Sequence, residues 1–284
     1  MAKAIVDATA TPVPPPSKPA GYLLNFEDLA QAEIPRIAWQ DSQRVLSFNS
    51  QSFSPQVDLK IRVGPTTNPY FGDVEPMYRK AITFWARFDQ PTIFLVLIYN
   101  SQDRPWAREQ IQNASFIPQE GRDVGIVDAP CNGDICSGAN AGMRTNSSVG
   151  LGVLGIHQRD VWDSYRYGPL QIHEYTHAVQ PAPWIGDFQP LAGAQSSSPC
   201  WLNEGMSHFA GLSVGTNSYD EYLELRRTQV GNDLFSGRPR LPSFTDFSPT
   251  AIVDYYDKSL PGQCYPPVIP MAIMTWDIHW AFLP

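Results

Sequence analysis

The chain predicts an α+β fold, with a small sheet in its first half and a mostly helical second part. Runs with strand character recur before residue 160, at Val57 to Val63, Thr92 to Tyr99 and Val149 to His157. A helical pattern stands between the first two of them, and the patterns after residue 169 are helical. With 284 residues and 43% hydrophobic content, the chain can bury a substantial core as one large domain or two lobes. The expected division is a linker over 1–20 and one domain over 21–284, its N-terminal α/β lobe over about 21–180 and its helical lobe over about 181–284.

Each element has its own grounds. Thr11-Pro12-Val13-Pro14-Pro15-Pro16-Ser17-Lys18-Pro19 cannot form a helix and reads as an extended linker. Residues 1–10 lack the basic start and apolar core of a signal peptide. Because such a linker often joins an export signal or lipid anchor to a surface domain, an extracellular or cell-surface location is expected, with a cytoplasmic one as the alternative. Tyr22 to Ala32 and Pro35 to Leu46 read as short helices or turns, and Val57 to Val63 alternates as a strand. Glu75 to Phe88 carries Met77, Ala81, Phe84, Trp85 and Phe88 at helical spacing, an aromatic stripe suited to the core. Ile93-Phe94-Leu95-Val96-Leu97-Ile98-Tyr99 has strand length and falls far short of the roughly 20 residues that span a bilayer.

Asp103 is placed to cap a helix over 104–112. Residues 118–150 are rich in Gly, Asn, Asp and Ser and read as the longest irregular region. A helix begins after Gly168-Pro169, with Leu170, His173, His177 and Ile172, Tyr175, Val179 at helical spacing, and Pro181-Ala182-Pro183 stops it. In this helix Tyr175 is expected to face the core. A second helix takes Ser198 as cap, Pro199 as first residue and Gly211 as stop. Tyr219 to Gln229 reads as a charged helix, Asn232 to Pro249 as loop, and Met271 to Phe282 as a final helix.

Residues 173 to 177 read His-Glu-Tyr-Thr-His, the pattern H-E-x-x-H, in a chain with only five histidines. On a helix the two histidines lie on one face a turn apart, so their imidazoles can converge on one tetrahedral Zn²⁺. Glu174 can then aim its carboxylate at a water on the same metal. A continuation H-E-x-x-H-x-x-G-x-x-H fails, because Gln180 stands at the glycine position and Pro183 at that of the third histidine. Downstream, Trp201-Leu202-Asn203-Glu204-Gly205 opens the second helix. The two motifs together cover about forty residues and resemble the zinc-binding helices of the gluzincin metallopeptidases, the group that includes thermolysin and the zinc aminopeptidases.

The resemblance implies one zinc per chain held by His173, His177 and Glu204, with Glu174 as general base, a peptide or protein substrate and hydrolysis of a peptide bond. It also implies a small mixed sheet packed on the zinc-binding helix, with an edge strand bordering the cleft, where a substrate adds as a further strand. Val149 to Ile156 is the candidate edge, its glycines admitting substrate backbone, against the alternative of an interior strand. Two departures from the family pattern stand out. His208 occupies the place where thermolysin-like members carry an Asp behind a zinc ligand. It reads either as a partner of Glu204 or as a solvent-facing residue. The oxyanion-stabilising residue of such enzymes has several candidates, Tyr255, Tyr256, Tyr265 and His279, with Tyr265 preferred and Tyr256 next.

The net charge of -8 argues against a nucleic-acid partner. Four cysteines favour an oxidising compartment, with pairings 131–136 and 200–264 expected and four reduced cysteines as the alternative. Asn113-Ala114-Ser115 and Asn146-Ser147-Ser148 fit the glycosylation pattern. A Gly-x-Ser-x-Gly elbow and a phosphate-binding Gly-x-x-x-x-Gly-Lys-[Ser/Thr] are both lacking. The alternatives to peptide hydrolysis are a zinc hydrolase of a non-peptide amide or cell-wall component, and a non-catalytic surface-binding module that keeps the metal.

Overall fold

The computed structural model describes residues 34–144, 147–157, 167–184 and 200–231. The fold is α+β, a four-stranded mixed sheet with helices on both faces. Its strands are β1 (Asp58–Val63), β2 (Ile93–Tyr99), β5 (Gly138–Met143) and β6 (Val149–Gly155), and β3 (Cys131–Asn132) with β4 (Ile135–Cys136) forms a separate short hairpin. The helices are α1 (Ile34–Ser52), α2 (Glu75–Phe84), α3 (Arg104–Gln112), α4 (Pro169–Val179), α5 (Cys200–Gly215) and α6 (Tyr219–Gly231).

The sheet order is β1-β2-β6-β5; the first three strands are parallel and β5 is antiparallel at the edge. β2 is an unbroken apolar run because both of its faces are covered. Phe94, Val96 and Ile98 point to one side, where α2 and α4 close a core containing Tyr78, Ala81, Ile82, Ile172, Tyr175 and Ala178. Leu95, Leu97 and Tyr99 point to the other, against Ala107 and Ile111 of α3 and Val127. α4 is pinned from two directions: Trp85 Nε1 donates to Thr176 Oγ1 at 2.9 Å, and Tyr175 Oη donates to Gln90 Oε1 at 2.7 Å. α1 braces the helical layer, with Asn49 Nδ2 donating to the carbonyl of Phe84 at 2.7 Å and Trp39 Nε1 to Thr216 Oγ1 at 3.3 Å.

Several expectations need correction. Val149 to Ile156 is not the edge strand. β6 lies inside the sheet between β2 and β5, and the edge is β5, within the region expected to be irregular. The β6 glycines serve internal packing instead of substrate approach. A Cβ on Gly150 would stand 2.6 Å from Phe94 Cδ2 and 3.3 Å from Ala178 Cβ, so the bare backbone makes room for the Phe94 ring and for α4. That ring in turn meets Tyr175 of α4 edge-on at 4.9 Å between centroids. α2 ends at Phe84, so Phe88 lies beyond the helix and is 56% exposed, while Ala81, Phe84 and Trp85 are buried.

Asp103 precedes α3 but makes no cap. Its carboxylate accepts from Thr66 N–H at 3.0 Å, Thr66 Oγ1 at 2.9 Å and Thr67 Oγ1 at 2.6 Å, tying the loops that follow β1 and β2. α1 is a single helix of 19 residues, longer than the expected segment.

The Cys131–Cys136 pairing is present and closes the β3–β4 hairpin. The expected linker, the helix over Tyr22 to Ala32, the cap at Ser198 and Pro199, the Cys200–Cys264 pairing, the loop over Asn232 to Pro249 and the final helix lie outside the described residues. Among the described residues no helix is long and apolar enough to cross a membrane.

Candidate metal centre

α4 starts at a glycine because the chain must turn sharply there. Gly168 has φ of 103°, a conformation that L side chains rarely adopt, and Pro169 follows as the first helical residue. Gln171 Oε1 accepts the Gly168 N–H at 2.6 Å and completes the turn. The helix then carries His173 and His177 on one face, as their spacing requires. Tyr175 faces the core, fully buried, as expected.

α5 supplies the third group through close backbone packing. Gly211 is not the helix stop; α5 runs through it to Gly215. A Cβ at Gly211 would stand 2.6 Å from the carbonyl oxygen of Pro169 and 3.2 Å from His173 Cβ, and one at Gly215 would stand 2.5 Å from Pro169 N. The two glycines thus seat α5 directly on the first turn of α4. Glu204 lies seven residues before Gly211, two turns along the same stripe. The seat therefore fixes where its carboxylate arrives.

It arrives between the imidazoles. His173 Nε2 and His177 Nε2 are 3.1 Å apart, and Glu204 Oε2 lies 3.5 Å from the first and 3.6 Å from the second. Ligand atoms around a tetrahedral ion bound at about 2.0–2.1 Å sit about 3.3–3.4 Å from one another. The three edges of this triangle bracket that value, so the group can hold a metal ion. All three side chains are at most 19% exposed. Burial alone would lower the His177 imidazole, but the Glu204 carboxylate outweighs it and, with Glu174 and Gln180, raises His177 to about 9. Burial works to raise Glu204, yet the His173 and His177 imidazoles hold it well below the usual carboxylate range. The site thus favours negative charge on the carboxylate and positive charge beside it, the electrostatic condition a cation meets.

Glu174 stands outside the ligand triangle. Its side chain is buried and its Oε2 has no hydrogen-bond partner among the described residues. Burial raises its pKa, His173 and His177 oppose that in part, and Glu204 adds to the rise. A buried carboxylate with an unpartnered oxygen and a raised pKa, beside a cation site, is suited to exchanging a proton there. His208 is half-buried, with its ring 5.8 Å from that of His173 and nearly perpendicular to it, so it belongs to the surroundings of this centre. Tyr255, Tyr256, Tyr265 and His279 lie outside the described residues.

The sequence gives no warning of two further contributors. Gln180 Oε1 lies 3.0 Å and Ser207 Oγ 3.2 Å from His177 Nδ1. Gln180 reads as the residue before the helix-stopping prolines and stands at the failed glycine position of the longer motif, and the carbonyl that orients its amide, that of Asn203, sits on a different helix. No protein-family model matches the chain, and neither a curated protein nor a solved structure does.

The seat can be tested against an internal control. Gly211→Ala should cost about 1–3 kcal/mol of stability from overpacking and weaken metal binding. At Gly205, beside Glu204, a Cβ meets nothing within 4 Å among the described residues. Gly205→Ala should therefore cost less than Gly211→Ala. Urea denaturation and metal titration of both variants are the measurements; equal effects would remove Gly211 from this role.

Proposed function

We propose that the protein is a zinc metallopeptidase of the gluzincin type, hydrolysing peptide bonds with Glu174 as general base. The observation that carries this reading is the triangle of His173 Nε2, His177 Nε2 and Glu204 Oε2, with the buried carboxylate of Glu174 beside it and outside it. Two neutral imidazoles and one carboxylate are a donor set suited to catalytic zinc, leaving a fourth position open. Zinc held there supplies a Lewis acid for the substrate carbonyl and lowers the pKa of a bound water towards neutrality. Glu174 accepts the proton of the attacking water and delivers it to the leaving amine. Burial raises its pKa above the ordinary carboxylate value, which favours uptake of that proton.

The substrate reading is drawn from the gluzincin resemblance and from the antiparallel edge strand β5, which packs beside α4 and, among the described residues, has a strand partner on one side of its backbone. An extended peptide is the ligand such an edge accepts, by main-chain hydrogen bonds. The Cys131–Cys136 disulfide supports work outside the reducing cytoplasm, in an extracellular or cell-surface setting. A structural metal module would make no use of a buried carboxylate outside the ligand set, which favours catalysis over binding alone.

Zinc content should be about one per chain and should be lost in His177→Ala. Elemental analysis of both proteins tests this, and equal zinc in the two would overturn the ligand assignment. Glu174→Gln should retain zinc and lose about 10²–10⁴-fold in peptide hydrolysis. Turnover near that of the unmodified chain, or loss of zinc, would take Glu174 out of the base role.

A further inference from the structure

We propose that Gln180 is a positioning residue of the metal centre, fixing His177 in the tautomer that presents Nε2 to the ion. The inference rests on the zinc reading and adds to it the device that orients one ligand. It starts from a single carbonyl, that of Asn203, the residue before Glu204. Gln180 Nε2 donates to Asn203 O at 2.7 Å, and Ser207 Oγ donates to the same oxygen at 3.0 Å.

A carbonyl oxygen only accepts, and this settles the direction of both bonds. The NH₂ end of the Gln180 amide must face Asn203, so its Oε1 is the atom that faces His177 Nδ1 at 3.0 Å. Ser207 has one hydroxyl proton. With that proton on Asn203 O, the hydroxyl turns a lone pair to His177 Nδ1 at 3.2 Å. Nδ1 thus meets two acceptors and no donor, and it carries the ring proton. In the neutral imidazole the lone pair is then on Nε2, the atom in the ligand triangle.

The location of the frame gives it a second effect. Gln180 caps the C-terminal end of α4, Asn203 and Ser207 belong to α5, and the shared oxygen lies one residue from Glu204. The Gln180 Nε2–Asn203 O bond and the Ser207 Oγ–His177 Nδ1 contact therefore tie the His177 end of α4 to the turn that carries the third ligand. His173 has no such support, because its Nδ1 is buried without a hydrogen-bond partner among the described residues. A neutral amide and a hydroxyl here do for His177 what a carboxylate or backbone carbonyl commonly does behind a metal-bound histidine.

The test is zinc affinity by chelator competition on the full chain, for the unmodified protein, Gln180→Met, Ser207→Ala and the double variant. Gln180→Met keeps the length of the side chain and removes the acceptor. It should bind zinc about 10-fold more weakly, and the double variant about 100-fold, in line with the 10–100-fold usual for such partners. Proton and ¹⁵N NMR of the zinc-loaded protein should show a hydrogen-bonded His177 Nδ1–H that is lost or exchange-broadened in the double variant, a signature that packing alone would not move. Variants that bind zinc as tightly as the unmodified chain would overturn the proposal while leaving the zinc reading standing. An unmodified chain that binds no zinc would sink both. Should Gln180→Met fail to fold, the NMR spectrum of the zinc-loaded unmodified chain decides the matter: a hydrogen-bonded His177 Nδ1–H supports the frame, and ligation of zinc through His177 Nδ1 overturns it.

Discussion

The candidate centre depends on one contact, the seating of α5 on the first turn of α4 through Gly211 and Gly215. Neither helix holds the ligand set alone. α4 brings two imidazoles, and α5 brings the carboxylate that completes the triangle. A side chain at Gly211 would meet the Pro169 carbonyl oxygen and His173 Cβ, so the distance between the helices is set by the absence of one atom. The rest of the described fold supports that contact. The sheet backs α4 through Phe94 and Tyr175, α2 pins it through Trp85 and Thr176, and α1 reaches α5 through Trp39 and Thr216 at the end of that helix.

The same principle operates on the sheet side. β6 carries Val149, Leu151 and Val153 towards α3, and Gly150, Gly152 and Leu154 towards α4, so the first part of its α4 face is bare backbone. The Phe94 ring fills the space over Gly150, and α4 lies against it with Ala178. A histidine-bearing helix thus sits close to the sheet on one side and close to α5 on the other. Both approaches are made by bare backbone. Close packing of this kind leaves the imidazoles little freedom to leave their rotamers, as a preorganised metal site requires.

Features that rest on local pattern were legible in the sequence. β1, β2, β6, α3, α4 and α6 follow from their own periodicity and flanking residues, and the H-E-x-x-H spacing places two histidines on one helix face whatever surrounds them. The parts that were not legible depend on what lies opposite. β5 reads Gly-Ala-Asn-Ala-Gly-Met, without a β-branched or aromatic residue, and is a strand because β6 offers it a ladder. Gly211 carries the signal of a helix end, yet it serves an approach by another helix. Asp103 carries the signal of a cap, yet Thr66 and Thr67 take its carboxylate from 37 and 36 residues away. Gln180 is of the same kind, since its amide is oriented by a carbonyl 23 residues on.

Whether this buried set of two imidazoles and a carboxylate is a zinc site is decided most directly by X-ray absorption at the zinc edge on protein prepared without added metal. The expected result is a four-coordinate zinc with nitrogen and oxygen neighbours at about 2.0–2.1 Å and the multiple-scattering pattern of two imidazoles. A zinc with sulfur neighbours at about 2.3 Å, a six-coordinate all-oxygen shell, or the absence of bound zinc would contradict it.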